Sequence, residues 1–249
     1  MLVLLPPSET KRPGGEGMPL DLDALFLPAL RAPRETVIDA LVALSADEDE
    51  AARVLKLGAK RRHEVADNAA LRTSPTVPAV DRYTGVLFDA LDAATLDASA
   101  RSWLGRHVAI HSAPFGPVGA LDGIPAYRLA AGTSVPGLPA LRRVWADATR
   151  DALERAAPGF VLDLRSEAYA ALGPVPAGVP SVYVRVVTEG DGGAVRALNH
   201  FNKHAKGALT RALAASGAQV DSLDDLLVWA GREGWIIRPQ AAGEVSLVV

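Results

Sequence analysis

Short apolar runs that end in polar loops are the feature that most constrains how this chain can fold. Residues 2–5 read Leu-Val-Leu-Leu and stop at two prolines, and residues 108–110 and 160–164 are similar runs. Apolar runs of this length, bounded by turn residues, are typical of buried strands. Proline cannot donate to a central ladder, so the first run must end at Pro6. The pattern predicts a sheet whose strands are each followed by a polar loop.

Each of these three loops contains a serine, namely Ser8, Ser112 and Ser166. Because the carboxyl ends of parallel strands meet at one edge of a sheet, the loops are expected to converge where ligands bind. Serine is also an ordinary turn and cap residue, so an interpretation without any site stays open.

The rest of the chain alternates helical and strand patterns. Helices are predicted over residues 141–152 and 201–213 from apolar spacing, and after Ser222 from its capping position. Residues 183–187 predict a fourth strand, and residues 235–237 and 245–249 a closing hairpin. With neither an internal repeat nor a long linker, we predict one mixed α/β (α+β) domain over residues 1–249, built on a central mixed sheet.

Composition excludes several function classes. The chain has no cysteine, which removes disulfide frameworks, thiolate zinc sites, iron–sulfur clusters and thiol peroxidases. Its 26 Lys and Arg and 29 Asp and Glu give a net charge of −3, so a polyanion must meet a local basic patch. Neither a signal peptide nor a membrane span is recognisable, and we expect a cytoplasmic protein without a membrane partner.

Two basic segments could form such patches. Residues 45–71 predict a helix, broken near Gly58, that starts with a capping-box pattern at Ser45. It contains five basic residues without an acid between Glu50 and Glu64: Arg53, Lys56, Lys60, Arg61 and Arg62.

The second basic segment is residues 196–211. Its basic side chains recur on one helical face, opposite a stripe formed by Phe201, Ala205 and Leu209. Either a bound anion or carboxylates from elsewhere would neutralise this face. His200 and His204 have a metal-ligand spacing, but no third ligand is evident, so we predict no metal and no cofactor. No catalytic or nucleotide motif defines an enzyme class.

Several segments together resemble the YaaA family of bacterial peroxide-stress proteins. They occur in family order along the whole chain, at residues 6–11, 83–85, 111–116, 125–129, 145–147, 164–169 and 202–207. Two departures are Glu9, where the family commonly has alanine or lysine, and Phe115, where a tyrosine is common.

The resemblance implies a compact fold with a positively charged cleft and a helix-hairpin-helix-like element, here residues 45–71 with a turn at Leu57-Gly58. It also implies sequence-independent binding of double-stranded DNA in a peroxide response that limits iron-driven oxidation. The implied cleft residues are Ser8, Thr10, Lys11, Tyr83, Ser112, Tyr127, Arg128, Ser166, Glu167, Tyr169, Asn202, Lys203 and Lys206. The implied phosphate contacts are Arg53, Lys56, Lys60, Arg61, Arg62, Lys203, Lys206 and Arg211.

A second hypothesis is an enzyme that acts on a nucleobase, a nucleotide or a related small molecule. In that case the polar loops would enclose a pocket rather than border an open groove. Family-level function does not decide between the two, because a site must be argued from its own geometry.

Overall fold

A seven-stranded mixed sheet lies at the centre of the protein. The computed structural model describes residues 1–188, 195–240 and 243–249, with only the backbone for 195–200. The strands are β1 (Leu2–Leu5), β2 (Val77–Pro78), β3 (Val108–Ser112), β4 (Gly116–Gly119), β5 (Gly123–Ile124), β6 (Val161–Asp163), β7 (Ser181–Val187), β8 (Ile236–Pro239) and β9 (Glu244–Val248). The predicted mixed α/β class and the predicted strands are confirmed.

The strand order of the sheet is β4-β3-β1-β6-β7-β9-β8, and β2 pairs with β5 separately. β1 runs parallel to both β3 and β6, and β7 runs parallel to β6 and β9. The chain leaves β1 towards β3 and later returns on the other side of β1 to form β6. In open α/β sheets ligands bind at such a reversal, outside the carboxyl ends of the two strands on either side of it, which here are β1 and β6.

Helices cover the sheet and extend from it. They are α1 (Arg31–Leu44), α2 (Glu48–Val54), α3 (Glu64–Ala69), α4 (Ala79–Arg82), α5 (Val86–Leu91), α6 (Ala98–His107), α7 (Leu141–Ala156), α8 (Glu167–Ala170), α9 (Val195–Ala215) and α10 (Leu223–Arg232), with 3-10 turns at Pro28–Leu30, Ala59–Arg61 and Ala93–Thr95. Within the described ranges, none of these helices is long and apolar enough to cross a membrane. Ser222 caps α10, as predicted.

The helical segment predicted over residues 45–71 is broken near Gly58 as expected, but it does not begin at the predicted Ser45 cap. It divides into α2, the turn Ala59–Arg61 and α3. Ser45 closes α1 by donating to the Leu41 carbonyl, and Asp47 caps α2 by accepting from the Glu50 amide. The cap lies two residues after the predicted Ser45. Asp47 offers the same kind of acceptor, and the first turn that follows it is more acidic, which suits the positive end of the helix dipole.

Helix α9 packs closely against α5. A Cβ added at Gly207 would lie 2.0 Å from the Leu87 carbonyl oxygen, so only glycine permits this approach. Ala205 and Leu209 are buried as predicted, but Phe201, assigned to the same stripe, is 57% exposed. The contact with α5 buries Gly207 on the face predicted to be basic, so this face is not fully solvated.

Two buried arginines hold the long loops to the sheet. Arg34 donates to the carbonyls of Phe26, Leu27, Phe115 and Pro117. Arg82 donates to those of Arg12, Gly14 and Ile124. These bonds satisfy carbonyl groups that would otherwise be buried without a partner. They thereby fix the two segments that flank Lys11 and Ser112.

We predict that Gly207→Ala destabilises the fold, since the new methyl group would collide with backbone of α5. Overpacking of this kind costs about 1 to 3 kcal/mol. Gly231→Ala in α10 is the matched control, because its Cβ would meet nothing within 4 Å and alanine favours the helix. Thermal unfolding should show a lower midpoint for the first variant alone. Equal stability of both variants would contradict the packing.

Candidate functional site

Arg165 forms a buried network at the carboxyl end of β6. Its guanidinium, which is 0% exposed, contacts both carboxylate oxygens of Asp163 at 2.9 and 2.7 Å. It also donates to the Gly173 carbonyl at 2.8 Å and contacts His111 Nδ1 at 2.9 Å. Because β1 lies between β3 and β6, this side chain bridges the strands on either side of β1.

The contact with Arg165 fixes the protonation of His111. A guanidinium can only donate, so Nδ1 accepts and the proton of the neutral ring sits on Nε2. Burial, and then the charge of Arg165, lower the pKa of His111 well below its usual value. The Nε2 atom is buried and has no hydrogen-bond partner among the described residues, and the same holds for Thr149 Oγ1. Both side chains flank Gly173.

The backbone of Arg165 holds two further side chains. Its carbonyl oxygen accepts from Lys206 Nζ at 3.3 Å and from the Tyr183 hydroxyl at 3.0 Å. Lys206 is 5% exposed, and burial lowers its pKa to about 8, partly offset by the charge of Asp163. With such a pKa, both the protonated and the neutral form of the side chain are populated close to neutral pH, so Lys206 can exchange a proton there.

Lys11 and two tyrosines form a second group at the same edge. Lys11 Nζ donates to the carbonyls of Ser8 at 3.1 Å and Glu9 at 3.3 Å, and lies 4.0 Å from the centroid of the Tyr127 ring. Burial is the largest influence on Lys11 and lowers its pKa to about 7. The hydroxyls of Tyr83 and Tyr127 are 2.8 Å apart, and burial raises the pKa of both far above 10.

The Lys11 loop is fixed by backbone pairing with the segment before α5. Lys11 forms an antiparallel bridge with Tyr83, and the Thr84 amide donates to the Thr10 carbonyl. The hydroxyls of Ser8 and Thr10 are 3.2 Å apart and lie beside Gly85. Gly85 has a φ of +92°, a conformation that glycine adopts without strain.

Arg128 connects this group to the segment around Gly58. Its guanidinium pairs with Glu9 at 3.2 Å and with Glu64 at 3.7 Å. The side-chain amide of Asn68 donates to the Arg128 carbonyl oxygen and accepts from the Arg128 backbone amide. Tyr169 lies near both groups: its ring centroid is 6.2 Å from that of His111, and burial raises its pKa to about 12.

The structure therefore brings nine of the predicted cleft residues near one sheet edge: Ser8, Thr10, Lys11, Tyr83, Ser112, Tyr127, Arg128, Tyr169 and Lys206. Ser112 accepts from the Phe115 amide. Its hydroxyl also lowers the pKa of both tyrosines, against the larger effect of burial. Ser166 and Glu167 are exposed, and Glu167 pairs with Arg185 at 3.0 Å. Lys203 is exposed, while Asn202 Oδ1 is buried with no partner in the described part of the chain.

Most of the predicted phosphate contacts are already paired inside the protein. Arg53 pairs with Glu50, Arg61 with Glu64, and Arg62 with Glu48 and Asp49. Arg211 donates to the carbonyls of Leu91 and Asp92, which lie at the end of α5. Lys206 is buried, so its position does not allow the expected direct contact with a phosphate. Lys56 and Lys60 remain exposed.

Sequence reasoning missed Asp163, Arg165, Tyr183 and Glu64. The signal for the first two was an Asp and an Arg around the end of an apolar strand, where ionisable groups need each other when buried. Tyr183 carries no local signal, since its partner Arg165 is distant in sequence. Glu64 has a local signal in its i,i+3 pair with Arg61, but its contact with Arg128 is distant in sequence. No group of three or more potential metal-ligating side chains occurs within residues 1–188, 201–240 and 243–249.

We predict that Asp163→Asn destabilises the protein strongly, because it leaves the Arg165 guanidinium buried without a counter-charge. Removing one partner of a buried pair typically costs about 3 to 5 kcal/mol. Glu244→Gln is the control, since its pair with Arg185 is exposed and contributes little to stability. Denaturant unfolding measures both. Similar small losses would contradict the importance of the buried pair.

The sequence is similar to known proteins along most of its length. The sequence model described as "Peroxide stress protein YaaA" matches residues 1–241. A UPF0246 protein of Corynebacterium glutamicum is 43% identical over 255 residues, covering 100% of each chain. A UPF0246 protein of Corynebacterium efficiens is 48% identical over 220 residues, covering 87% of this chain and 86% of its own. One from Streptomyces coelicolor is 43% identical over 229 residues, covering 91% and 88%. The chain therefore belongs to the YaaA family of peroxide stress proteins.

Proposed function

We propose that this protein binds double-stranded DNA without sequence preference during peroxide stress, and so limits iron-driven damage to it. The observation that carries the proposal is the pair of exposed lysines, Lys56 and Lys60, on either side of Gly58. A Cβ at Gly58 would meet nothing within 4 Å, so the backbone of this turn is open to a ligand. Exposed amides and lysines in a turn bind phosphates without reading bases.

The lysines are better placed for phosphate binding than the arginines beside them. Within the described ranges neither lysine has an ion-pair partner, whereas Arg53, Arg61 and Arg62 are held by carboxylates. Exposed ion pairs contribute little to stability, because water and salt screen them. A phosphate can therefore displace the carboxylates of Arg53 and Arg62 at small cost, and these arginines act as secondary contacts.

The turn is joined to the cleft at the sheet edge. Glu64 and Asn68, both on α3, contact Arg128, which lies beside the Lys11 loop. This supports a DNA surface that runs from Gly58 towards Arg128. Lys203 is kept as a further contact because its side chain is exposed on α9. Lys206 and Arg211 are left out, since both bind backbone carbonyls of the protein.

We predict that Lys56→Ala and Lys60→Ala each weaken duplex binding equally for all sequences. Each lost phosphate contact releases about one counterion fewer, so the slope of log affinity against log salt should fall by about one. Fluorescence anisotropy with unrelated duplexes at several salt concentrations measures this. Affinity at physiological salt should be in the range of roughly 10⁻⁴ to 10⁻⁶ M.

Arg232→Ala is the matched control. It removes the same charge from an exposed position on α10, a helix that packs against β8, the last strand in the sheet order. This variant should keep the parental slope. Binding that is independent of salt, or equal losses for all three variants, would overturn the proposed surface.

A second candidate is an enzyme that acts on a nucleobase, a nucleotide or a related small molecule. The buried groups around Arg165 and Lys11 favour it, because shifted pKa values beside a sheet crevice are typical of catalytic sites. His111 Nε2 and Asn202 Oδ1 offer a donor and an acceptor that the described part of the protein leaves unused.

Lys206→Met separates the two candidates. We predict that this variant, whose side chain keeps the buried volume but loses the amine, binds duplex DNA like the parent protein. Under the enzyme hypothesis it should lose most of its affinity for free nucleotides or bases. Calorimetric titration with nucleotides and bases, beside anisotropy with duplex, measures both. Parental protein that binds none of these small molecules would count against the second candidate.

A further inference from the structure

We propose that the guanidinium of Arg128 binds a phosphate group, and that the Glu9 carboxylate holds this position in the unliganded protein and leaves it when the phosphate binds. Three observations support the site: the unused donors of Arg128, the exposure of Glu9 and the charges around the pair. Where the phosphate belongs to duplex DNA, the site rests on the proposed function; where it belongs to a free nucleotide, it does not.

Arg128 has more donors than the described part of the protein uses. Its side chain is only 11% exposed, yet its five N–H groups make a single hydrogen bond to the described residues, from Nη2 to Glu9 Oε2. Glu64 lies 3.7 Å from Nε, which is too far for a hydrogen bond. The fully buried Arg34 and Arg165, in contrast, make four hydrogen bonds each. Arg128 therefore keeps donors for a ligand with several acceptor oxygens.

The backbone of Arg128 is fixed before a ligand arrives. The side-chain amide of Asn68, which is fully buried, donates to the Arg128 carbonyl and accepts from its amide, each at 2.8 Å. A residue held in this way loses less conformational freedom on binding than a residue on a free loop. The planar guanidinium also presents two parallel N–H groups, a geometry that matches two phosphate oxygens.

The position that Glu9 occupies is open to solvent. Its side chain is 69% exposed, and its single contact with Arg128 measures 3.2 Å, longer than the roughly 2.7 to 2.9 Å of strong charge-assisted hydrogen bonds. Water and salt screen an ion pair with such an exposed partner, so it is displaced easily. A phosphate in place of this carboxylate reaches Arg128 directly from solvent and needs no internal cavity.

The charges around the pair favour an anion once Glu9 has left. Six formally charged side chains interact here, three of each sign: Lys11, Arg61, Arg128, Glu9, Glu64 and Asp67. Arg61 holds Glu64 through two hydrogen bonds, and Arg82 is a further cation that acts on Asp67. When Glu9 leaves, three cations of the six face two carboxylates, and one negative charge restores the balance. A phosphodiester brings that charge with two free oxygens.

The test compares Glu9→Gln with Glu16→Gln. Each substitution removes one negative charge from an exposed side chain between β1 and α1, but Glu16 has no ion-pair partner in the described residues. Fluorescence anisotropy measures duplex binding, and NMR titration measures binding of AMP, with adenosine as the probe that lacks phosphate. Glu9→Gln should raise the affinity for duplex, for AMP or for both by about two- to fivefold and leave adenosine unchanged. The probe that responds identifies the source of the phosphate.

Arg128→Gln supplies the second arm. It should abolish the gain from Glu9→Gln, because Glu9 then has no guanidinium to occupy. Arg128→Lys keeps the charge without the planar fork; it should reduce the gain, and it replaces the glutamine variant if thermal unfolding shows that variant to be unfolded.

Three results would overturn the site: no gain for any probe, equal gains from Glu9→Gln and Glu16→Gln, or a gain that persists in Arg128→Gln. The last two would mean general repulsion of anions by negative charge. A gain for AMP beside duplex binding that is absent from every variant would support the site and overturn the DNA proposal. A reduced salt slope in Lys56→Ala without a gain from Glu9→Gln would do the reverse.

Discussion

The buried contact between Arg165 and Asp163 is the interaction on which the rest of the site depends. The guanidinium reaches across the end of β1 to His111 on β3, while its own carbonyl holds Lys206 of α9 and Tyr183 of β7. One residue thus joins three strands of the sheet to the helix that covers them. A buried charge is costly without a partner, so the position of Asp163 at the end of β6 dictates where Arg165 can lie.

The same constraint decides the chemistry of the neighbouring side chains. An arginine that remains charged keeps His111 neutral and determines which ring nitrogen carries the proton. It also places a carbonyl, rather than a carboxylate, against Lys206, so burial lowers the pKa of this lysine and the charge of Asp163 offsets the effect only in part. The network therefore supplies neutral donors and acceptors inside a protein whose surface is rich in ion pairs.

Much of the fold could be predicted from the sequence, because its strands are apolar runs with clear ends and Ser222 caps its helix as expected. Helix α1 could not, since it follows directly on a 3-10 turn and begins without a side-chain cap or an acid in its first turn. The convergence of the loops after β1 and β3 followed from the parallel sheet. The pairing of Arg62 did not, because the break between α2 and the turn Ala59–Arg61 brings Glu48 and Asp49 back to it.

Lysines in this protein show how position, rather than residue type, decides the chemical character of a side chain. Lys56 and Lys60 lie in an exposed turn without an ion-pair partner in the described residues, where they are open to an anion such as phosphate. Lys11 and Lys206 are equally basic in sequence, but burial against carbonyls lowers their pKa values to about 7 and 8. A charged lysine binds anions, whereas an uncharged one is a nucleophile or a base. Burial at the sheet edge therefore separates Lys11 and Lys206 from the exposed lysines, and the chain, with a net charge of −3, has two chemically different sets of lysines.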